Sequence, residues 1–276
     1  MNDAASLNDI DDLKAFTADD MQRVNRVIED HLRSEVVLIN QLSAHIIHSG
    51  GKRLRPMLVM LAARACGYDD SAGHDALMAA TVEFIHTATL LHDDVVDESE
   101  MRRGQETASS IWGNEAAVLV GDYLYSRAFQ MMVQAQSLPI MNLLADTTNT
   151  IAQGEVMQLL NINDPDTSEE RYHQVIYSKT ACLFEAAARI GAIISDADDA
   201  IADALGEYGK QLGIAFQLVD DALDYEADSA ELGKNVGDDL AEGKPTLPLI
   251  HALEQGNPQQ QALIRQAIEQ GGLEHI

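Results

Sequence analysis

The sequence predicts an all-α protein folded as a single helical domain. Two observations carry this expectation. Ala and Leu are abundant, only 6 Pro occur in 276 residues, and alternating β-branched or aromatic stretches are scarce. Apolar residues also recur at helical spacing between short breaks rich in Gly, Asn, Asp and Pro.

Taken in order, Thr17 with Asp20 starts a helix expected to run to about His48, where Gly50-Gly51 ends it. Pro56, near a first-turn position, opens the next, which stops before Gly67-Tyr68-Asp69-Asp70. A long apolar helix is expected over 76–97, followed by others over 114–136, 140–161, 168–195 and 199–224. The turn Asn163-Asp164-Pro165-Asp166 leads into Thr167-Ser168-Glu169-Glu170, a capping-box signature. Residues 225–245, with Gly233, Gly237 and Gly243 among charges, read as a mobile loop. No Pro- or Ser-rich linker divides the chain and no solenoid-period repeat occurs, so residues 1–276 read as one domain.

Two copies of Asp-Asp-x-x-Asp stand far apart: Asp93, Asp94 and Asp97, then Asp220, Asp221 and Asp224. On a helix, positions i, i+1 and i+4 bring three carboxylates to one edge. An acidic run is ordinarily a solvated face, and the chain has 45 Asp+Glu to place on such faces. The flanks argue otherwise. Phe84–Leu91 precedes the first motif and Leu212–Val219 the second, and neither stretch contains Asp, Glu, Lys or Arg. Like charges on core-facing helices repel unless something positive lies between them. Hard carboxylate oxygens suit Mg²⁺, which also keeps waters and takes substrate phosphates. The pair reads as a metal–diphosphate clamp.

The scarce cations complete the pattern. Lys52, Arg53 and Arg55 follow Gly50-Gly51 at a helix start, where backbone N–H groups and charged side chains can meet a phosphate. The stretch is not a P-loop, which needs Gly-x4-Gly-Lys-Ser/Thr. Arg102 and Arg103 follow the first acidic motif, Lys179-Thr180 interrupts an apolar helix face, and Lys234 and Lys244 lie in the charged loop. Two anion sites are implied, one through metal and one directly on Arg and Lys.

A net charge of −27 argues against nucleic acid and anionic membrane surfaces as partners. The two cysteines, Cys66 and Cys182, suit a reducing compartment. Neither a signal peptide nor an uncharged stretch of the ~20 residues needed to span a bilayer is visible, so a cytoplasmic protein is expected.

With these motifs in place, the chain resembles the trans-isoprenyl diphosphate synthases, and among them the bacterial long-chain members. The likeness runs in order through Gly-Gly-Lys-Arg-Leu-Arg-Pro (50–56), Leu-Leu-His-Asp-Asp-Val-Val-Asp (90–97), Met-Arg-Arg-Gly (101–104) and Gly-Asp-Tyr (121–123). It continues through Tyr-Ser-Lys-Thr (177–180), Phe-Gln-Leu-Val-Asp-Asp (216–221), Lys-Asn-Val-Gly-Asp-Asp (234–239) and Gly-Lys-Pro-Thr-Leu-Pro (243–248). The resemblance implies the isoprenoid synthase fold, a single-domain bundle of long, mostly antiparallel helices around a central cavity, and head-to-tail condensation of isopentenyl diphosphate onto an allylic diphosphate, with farnesyl as primer and a product of about octaprenyl length.

It further implies that Asp93, Asp97 and Asp220, helped by Asp94, Asp221 and Asp224, hold Mg²⁺, three ions per site with substrate bound. Arg102, Lys179, Lys234 and Lys244 would contact the allylic diphosphate. Lys52, Arg55, His86 and Arg103 would bind isopentenyl diphosphate, and Thr180 and Gln217 would face the allylic cation. A homodimer is implied too, as is a product handed to the membrane for a ubiquinone side chain.

In this family a bulky aromatic just before the first acidic motif gives short products. Here Ala88 and Thr89 stand there, above Ile85 and Thr81, so an open tunnel is expected, with a floor at Phe129 or Met132 judged from helix phase. Family members generally continue with further C-terminal helices, so the chain is expected to lack the last of them.

Other readings remain at this point. They are a farnesyl or geranylgeranyl diphosphate synthase, a terpene cyclase, a phosphohydrolase using His92-Asp93, and a catalytically silent synthase subunit. A ferritin-like di-iron protein would use Glu83-x-x-His86 and Glu170-x-x-His173.

Overall fold

The computed structural model describes residues 10–48, 51–69, 73–102, 104–226 and 237–271. Helices follow one another: α1 (Ile10–Phe16), α2 (Ala18–Leu32), α3 (Val37–His48), α4 (Leu54–Ala65) and α5 (His74–Val96). A two-residue hairpin, Met101–Arg102 with Gln105–Glu106, pairs Arg102 with Gln105 in antiparallel register. Then come α6 (Ala108–Trp112), α7 (Asn114–Gln134), α8 (Leu138–Asn161) and α9 (Glu169–Ile176). A π-helical turn, Tyr177–Ala181, joins α9 to α10 (Cys182–Ile194), and α11 (Asp199–Glu226) follows. Shorter helices at Asp238–Ala241, Leu247–Gln255 and Pro258–Gln270 close the described chain. The fold is the all-α isoprenoid synthase fold.

Two helices form the axis of the bundle. α10 is apolar almost all round, as a fully enclosed helix must be, and packs on α4, α5, α8 and α11. α5 packs on α2, α4 and α7, and its alanines 76, 79, 80 and 88 are buried. Small residues set the closest approaches: a Cβ on Gly191 of α10 would lie 2.6 Å from the Ala63 nitrogen of α4. Phe184, Ile85, Met131 and Leu144 fill the space between. α2 is fastened by charge: Arg23 reaches Asp75 at 2.7 Å and Arg64 reaches Asp20 at 2.6 Å.

Several expected elements change. The helix expected from Thr17 to His48 is two helices, because Arg33 leaves α2 with extended backbone (φ −59°, ψ 129°). Asn40 then caps the break: its amide donates to the Ser34 carbonyl at 2.7 Å, and its own oxygen accepts from the Ser34 N–H at 3.0 Å. Thr17 does not cap α2 with its side chain; its hydroxyl donates back to Leu13 O at 2.9 Å. The N-cap of α9 is Ser168, which accepts from the Arg171 N–H, so Thr167 lies outside the helix. Of the loop expected over 225–245, residues 225–226 still belong to α11 and Asp238–Ala241 is a helical turn. Residues 227–236 lie outside the described part.

Candidate active site

Both acidic motifs end a helix. Asp93 and Asp94 lie in the last turn of α5, Asp97 is its C-cap, and Asp220, Asp221 and Asp224 occupy the last two turns of α11. Carbonyl groups at these ends carry the negative pole of each helix, so carboxylates there deepen an already negative potential. The two ends open on one cavity of about 690 Å³ between α4, α5, α8, α9 and α11.

Every carboxylate of the first motif has a cation beside it. Lys179 Nζ lies 3.5 Å from Asp93, Arg102 Nε 2.6 Å from Asp94, and Lys244 Nζ 2.9 Å from Asp97. The lysines have second partners: Lys179 donates to Glu155 and Gln158, both at 2.8 Å, and Lys244 pairs with Glu242 at 2.6 Å. Burial pushes the Asp94 carboxyl above the ordinary range, with Arg102 opposing. Glu155 is also pushed up by burial, against the pull of Lys179.

Local sequence explains how Lys179 is delivered. It sits in the π turn, where one extra residue per turn re-aims side chains. Two glycines let flanking helices close on that turn: a Cβ on Gly154 of α8 would lie 2.9 Å from the Lys179 nitrogen, and one on Gly213 of α11 2.6 Å from Ala181 Cα. The same turn presents Thr180, whose hydroxyl donates to Gln217 Oε1 at 2.9 Å.

The second motif is less uniform. Asp220 is exposed and lines the cavity. Asp221 is buried and both its oxygens are taken within the protein, by Gln217 Nε2 at 2.7 Å and by the Tyr172 hydroxyl at 2.5 Å. Asp224 is buried as well and accepts the Asp239 N–H at 3.2 Å. Among the described residues no three His, Cys, Asp or Glu side chains converge as a ready-made metal site. A metal here needs ligand oxygens from elsewhere.

On the far wall, Lys52 is exposed beside the Phe216 ring, and Arg55 lies 4.4 Å over the Phe184 ring with its Nη1 3.2 Å from His86 Nε2. Arg53, between them, has left-handed backbone (φ 48°) and pairs with the buried Glu83. Glu83 and His86 are thus engaged by Arg53 and Arg55, while His173 lies 3.5 Å from Glu169; neither Glu-x-x-His pair contributes to a di-iron cluster among the described residues.

Of the expected site residues, Lys52, Arg55, His86, Asp93, Asp97, Arg102, Lys179, Thr180, Gln217, Asp220, Asp221, Asp224 and Lys244 line the one cavity, and Asp94 stands behind it. Arg103 and Lys234 lie outside the described residues. The tunnel residues fare less well. Thr89 lines the cavity, but Ala88, Ile85 and Met132 are enclosed in the core away from its wall. Phe129 is 44% exposed, because α7 turns Leu124, Ala128, Met131 and Met132 inward and leaves Phe129 outside that stripe. Sequence reasoning missed Glu155, Gln158 and Tyr172. For Glu155 a signal existed: an acidic residue next to Gly154 in a helix otherwise free of charge but for Asp146.

Fold and site together define a helical protein with one cavity lined by both carboxylates and cations. Residues 36–275 match the family described as Polyprenyl synthetase, and the chain belongs to it. It is 58% identical over 267 residues to the octaprenyl diphosphate synthase of Haemophilus influenzae, covering 96% of this chain and 80% of that one. It is 56% identical over 267 residues to the octaprenyl diphosphate synthase of Escherichia coli, covering 97% and 82%. A polyprenyl synthase from Caulobacter crescentus, solved with calcium and isoprenyl diphosphate, superposes with a TM-score of 0.93 at 46% identity, covering 97% of this chain and 81% of that one.

Proposed function

We propose that this chain is a long-chain trans-polyprenyl diphosphate synthase, adding isopentenyl diphosphate head to tail to an allylic primer such as farnesyl diphosphate to reach about octaprenyl length. The carrying observation is one cavity lined by Asp93, Asp97 and Asp220, by Lys179, Lys244 and Arg102, and by Lys52 and Arg55. Family membership and the octaprenyl diphosphate synthases among its relatives support the reading.

The donor set fits a divalent metal. Asp93 and Asp97 already draw ammonium groups to where a cation is needed, and all three carboxylates are hard oxygen donors. Asp93, Asp97 and Asp220 would hold Mg²⁺, three ions with substrate bound, while Asp221 and Asp224, which also line the cavity, are engaged by protein donors. Mg²⁺, when bound, supplies charge neutralisation on the departing diphosphate.

Lys179, Lys244, Arg102 and Lys234 add to that neutralisation on the allylic diphosphate, so its C–O bond breaks with the electron pair leaving on oxygen. Lys52, Arg55, Arg103 and His86 hold isopentenyl diphosphate alongside, and its double-bond pair forms the new C–C bond. A proton then leaves the neighbouring carbon for the released diphosphate. Thr180 and Gln217 present oxygens to the transient cation, and Phe184 and Phe216 keep water from it.

We read the working form as a cytoplasmic homodimer whose product passes to the membrane for a quinone side chain such as that of ubiquinone. Exposed apolar residues on α7 and α8, among them Leu119 at 66% and Leu160 at 71%, support a partner surface. No helix among the described residues is long and apolar enough to cross a membrane.

The test is incubation with farnesyl and isopentenyl diphosphates, with Mg²⁺ or with EDTA, and mass analysis of products. A metal-dependent ladder ending near octaprenyl is expected. A stop at farnesyl or geranylgeranyl length would assign a short-chain enzyme, and no elongation would refute the reading.

A further inference from the structure

Tyr172 is a buried phenol with no part in the chemistry above. Its ring is held by an apolar cluster separate from the main core, formed with Ile176 and Ile250 and packed by Ile214, Leu218 and Leu247. Its hydroxyl donates to Asp221 Oδ2 at 2.5 Å. Burial and the Asp221 carboxylate hold that phenol far above its ordinary pKa, so it keeps the proton that it donates to Asp221.

From there a directed chain runs to the cavity. Asp221 Oδ1 in turn accepts from Gln217 Nε2 at 2.7 Å. That fixes which end of the Gln217 amide points where: Oε1 faces forward and accepts the Thr180 hydroxyl proton at 2.9 Å. A threonine hydroxyl has one proton and two lone pairs. With its proton committed to Gln217, Thr180 can show the cavity only lone pairs, the negative end of its dipole. If the amide turned over, its N–H would donate to Thr180, and the Thr180 proton would swing into the cavity. The sign of the dipole facing an allylic cation would reverse.

We infer that Tyr172 is a positioning residue for allylic ionisation: through Asp221 and Gln217 it sets the direction in which the Thr180 hydroxyl points. The inference rests on the function proposed above. It assigns Asp221 to this chain of hydrogen bonds and leaves Asp220 as the ligand-facing member of the second motif. Preorganised dipoles of this kind contribute mainly to the transition state, so their loss lowers kcat more than it raises KM.

The experiment is a double-mutant cycle of Tyr172→Phe and Thr180→Val in the full chain. It reads kcat, both KM values, melting temperature, and calorimetric binding of inorganic diphosphate with Mg²⁺. Tyr172→Phe should lower kcat by about tenfold, with both KM values and diphosphate affinity within about twofold of the parent. The double variant should be no slower than Thr180→Val alone, because the two act as one unit. Should Tyr172→Phe fail to fold, Asp221→Asn tests the same link, since a neutral amide lets Gln217 turn over; its cycle with Thr180→Val should also be non-additive. Additive losses, or a risen KM with unchanged kcat, would overturn the inference. A parent protein that makes no polyprenyl product at all would instead overturn the function it rests on.

Discussion

The ion pair between Arg53 and Glu83 offers a sharp test of how the isopentenyl diphosphate wall is built. Arg53 caps α4 with left-handed backbone (φ 48°), a conformation that costs a non-glycine residue about 1–2 kcal/mol. The strain sits between Lys52 and Arg55, the two cations that line the cavity. What offsets it is Glu83 on α5, whose side chain is 11% exposed, against 19% for Arg53. Glu83→Gln keeps the shape and removes the charge. Stripping one partner from a fully buried pair costs about 3–5 kcal/mol. Residual exposure here lets water take up part of that, so about 2–3 kcal/mol is expected. For a chain of this size each kcal/mol moves the melting temperature by about 2–4 °C, giving a fall of about 4–12 °C by scanning calorimetry. The turn should also loosen, raising KM for isopentenyl diphosphate by about tenfold while KM for the primer moves less. The double variant Arg53→Gln with Glu83→Gln should recover much of the melting temperature, since no charge is then left unpaired. A Glu83→Gln protein with parental melting temperature and parental KM would refute the reasoning.

Three further outcomes follow from the same geometry. Thr89→Phe places a ring in the cavity wall and should shorten the product by one or more isoprene units in a mass-resolved ladder, whereas Ala88→Phe, at an enclosed position, should cost stability first; an unchanged ladder with Thr89→Phe would sink the chain-length role. Gly154→Ala puts a Cβ 2.7 Å from that of Ser178, so the π turn must shift; overpacking of about 1–3 kcal/mol, less about 1 regained in helix propensity, should appear as a lower melting temperature and a reduced kcat, and parental values for both would count against the clamp. Burial pushes the Cys182 thiol up to about 12, and its Sγ donates to Ser178 O at 2.9 Å. At pH 8 the thiolate fraction is then about 10⁻⁴, so iodoacetamide should label Cys182 only after unfolding, faster as pH rises; rapid labelling of the native protein would contradict this.

Much of the site could be read in the chain because its chemistry depends on residue type at helical spacing. Acidic groups at i, i+1 and i+4 within apolar flanks have few structural uses, and cations are scarce enough here to stand out. What could not be read depends on tertiary direction. Asp220 and Asp221 are adjacent and chemically identical, yet a rotation of about 100° about α11 leaves one exposed in the cavity and the other buried and held by Tyr172. Phe129 and Met132, three positions apart on α7, read alike as a tunnel floor from helix phase; neighbouring helices bury Met132 and leave Phe129 exposed, and neither lines the cavity. The α2–α3 break was hidden for another reason. Asn40 closes it from within the following helix, at a separation where no local turn signal stands.

The pairing of each first-motif carboxylate with a cation bears on how such a charged cavity persists at all. Six carboxylates at two helix C-termini, in a chain of net charge −27, would strain the fold if left alone. Lys179, Lys244 and Arg102 relieve that strain in the ligand-free molecule, and under the proposed function the same three groups bind the primer diphosphate. Binding would then be an exchange of partners: Asp93 and Asp97 would pass to metal, and Lys179 and Lys244 to phosphate. The exchange demands that the lysines stay in place once Asp93 and Asp97 release them. Glu155 and Gln158 for Lys179, and Glu242 for Lys244, are partners that could hold the lysines in place, since none of the three is among the residues that would hold the metal. Burial pushes the Glu155 carboxyl up, and Lys179 beside it pulls the other way. The residues overlooked in the sequence are thus those that keep the recognisable ones aimed while their partners change.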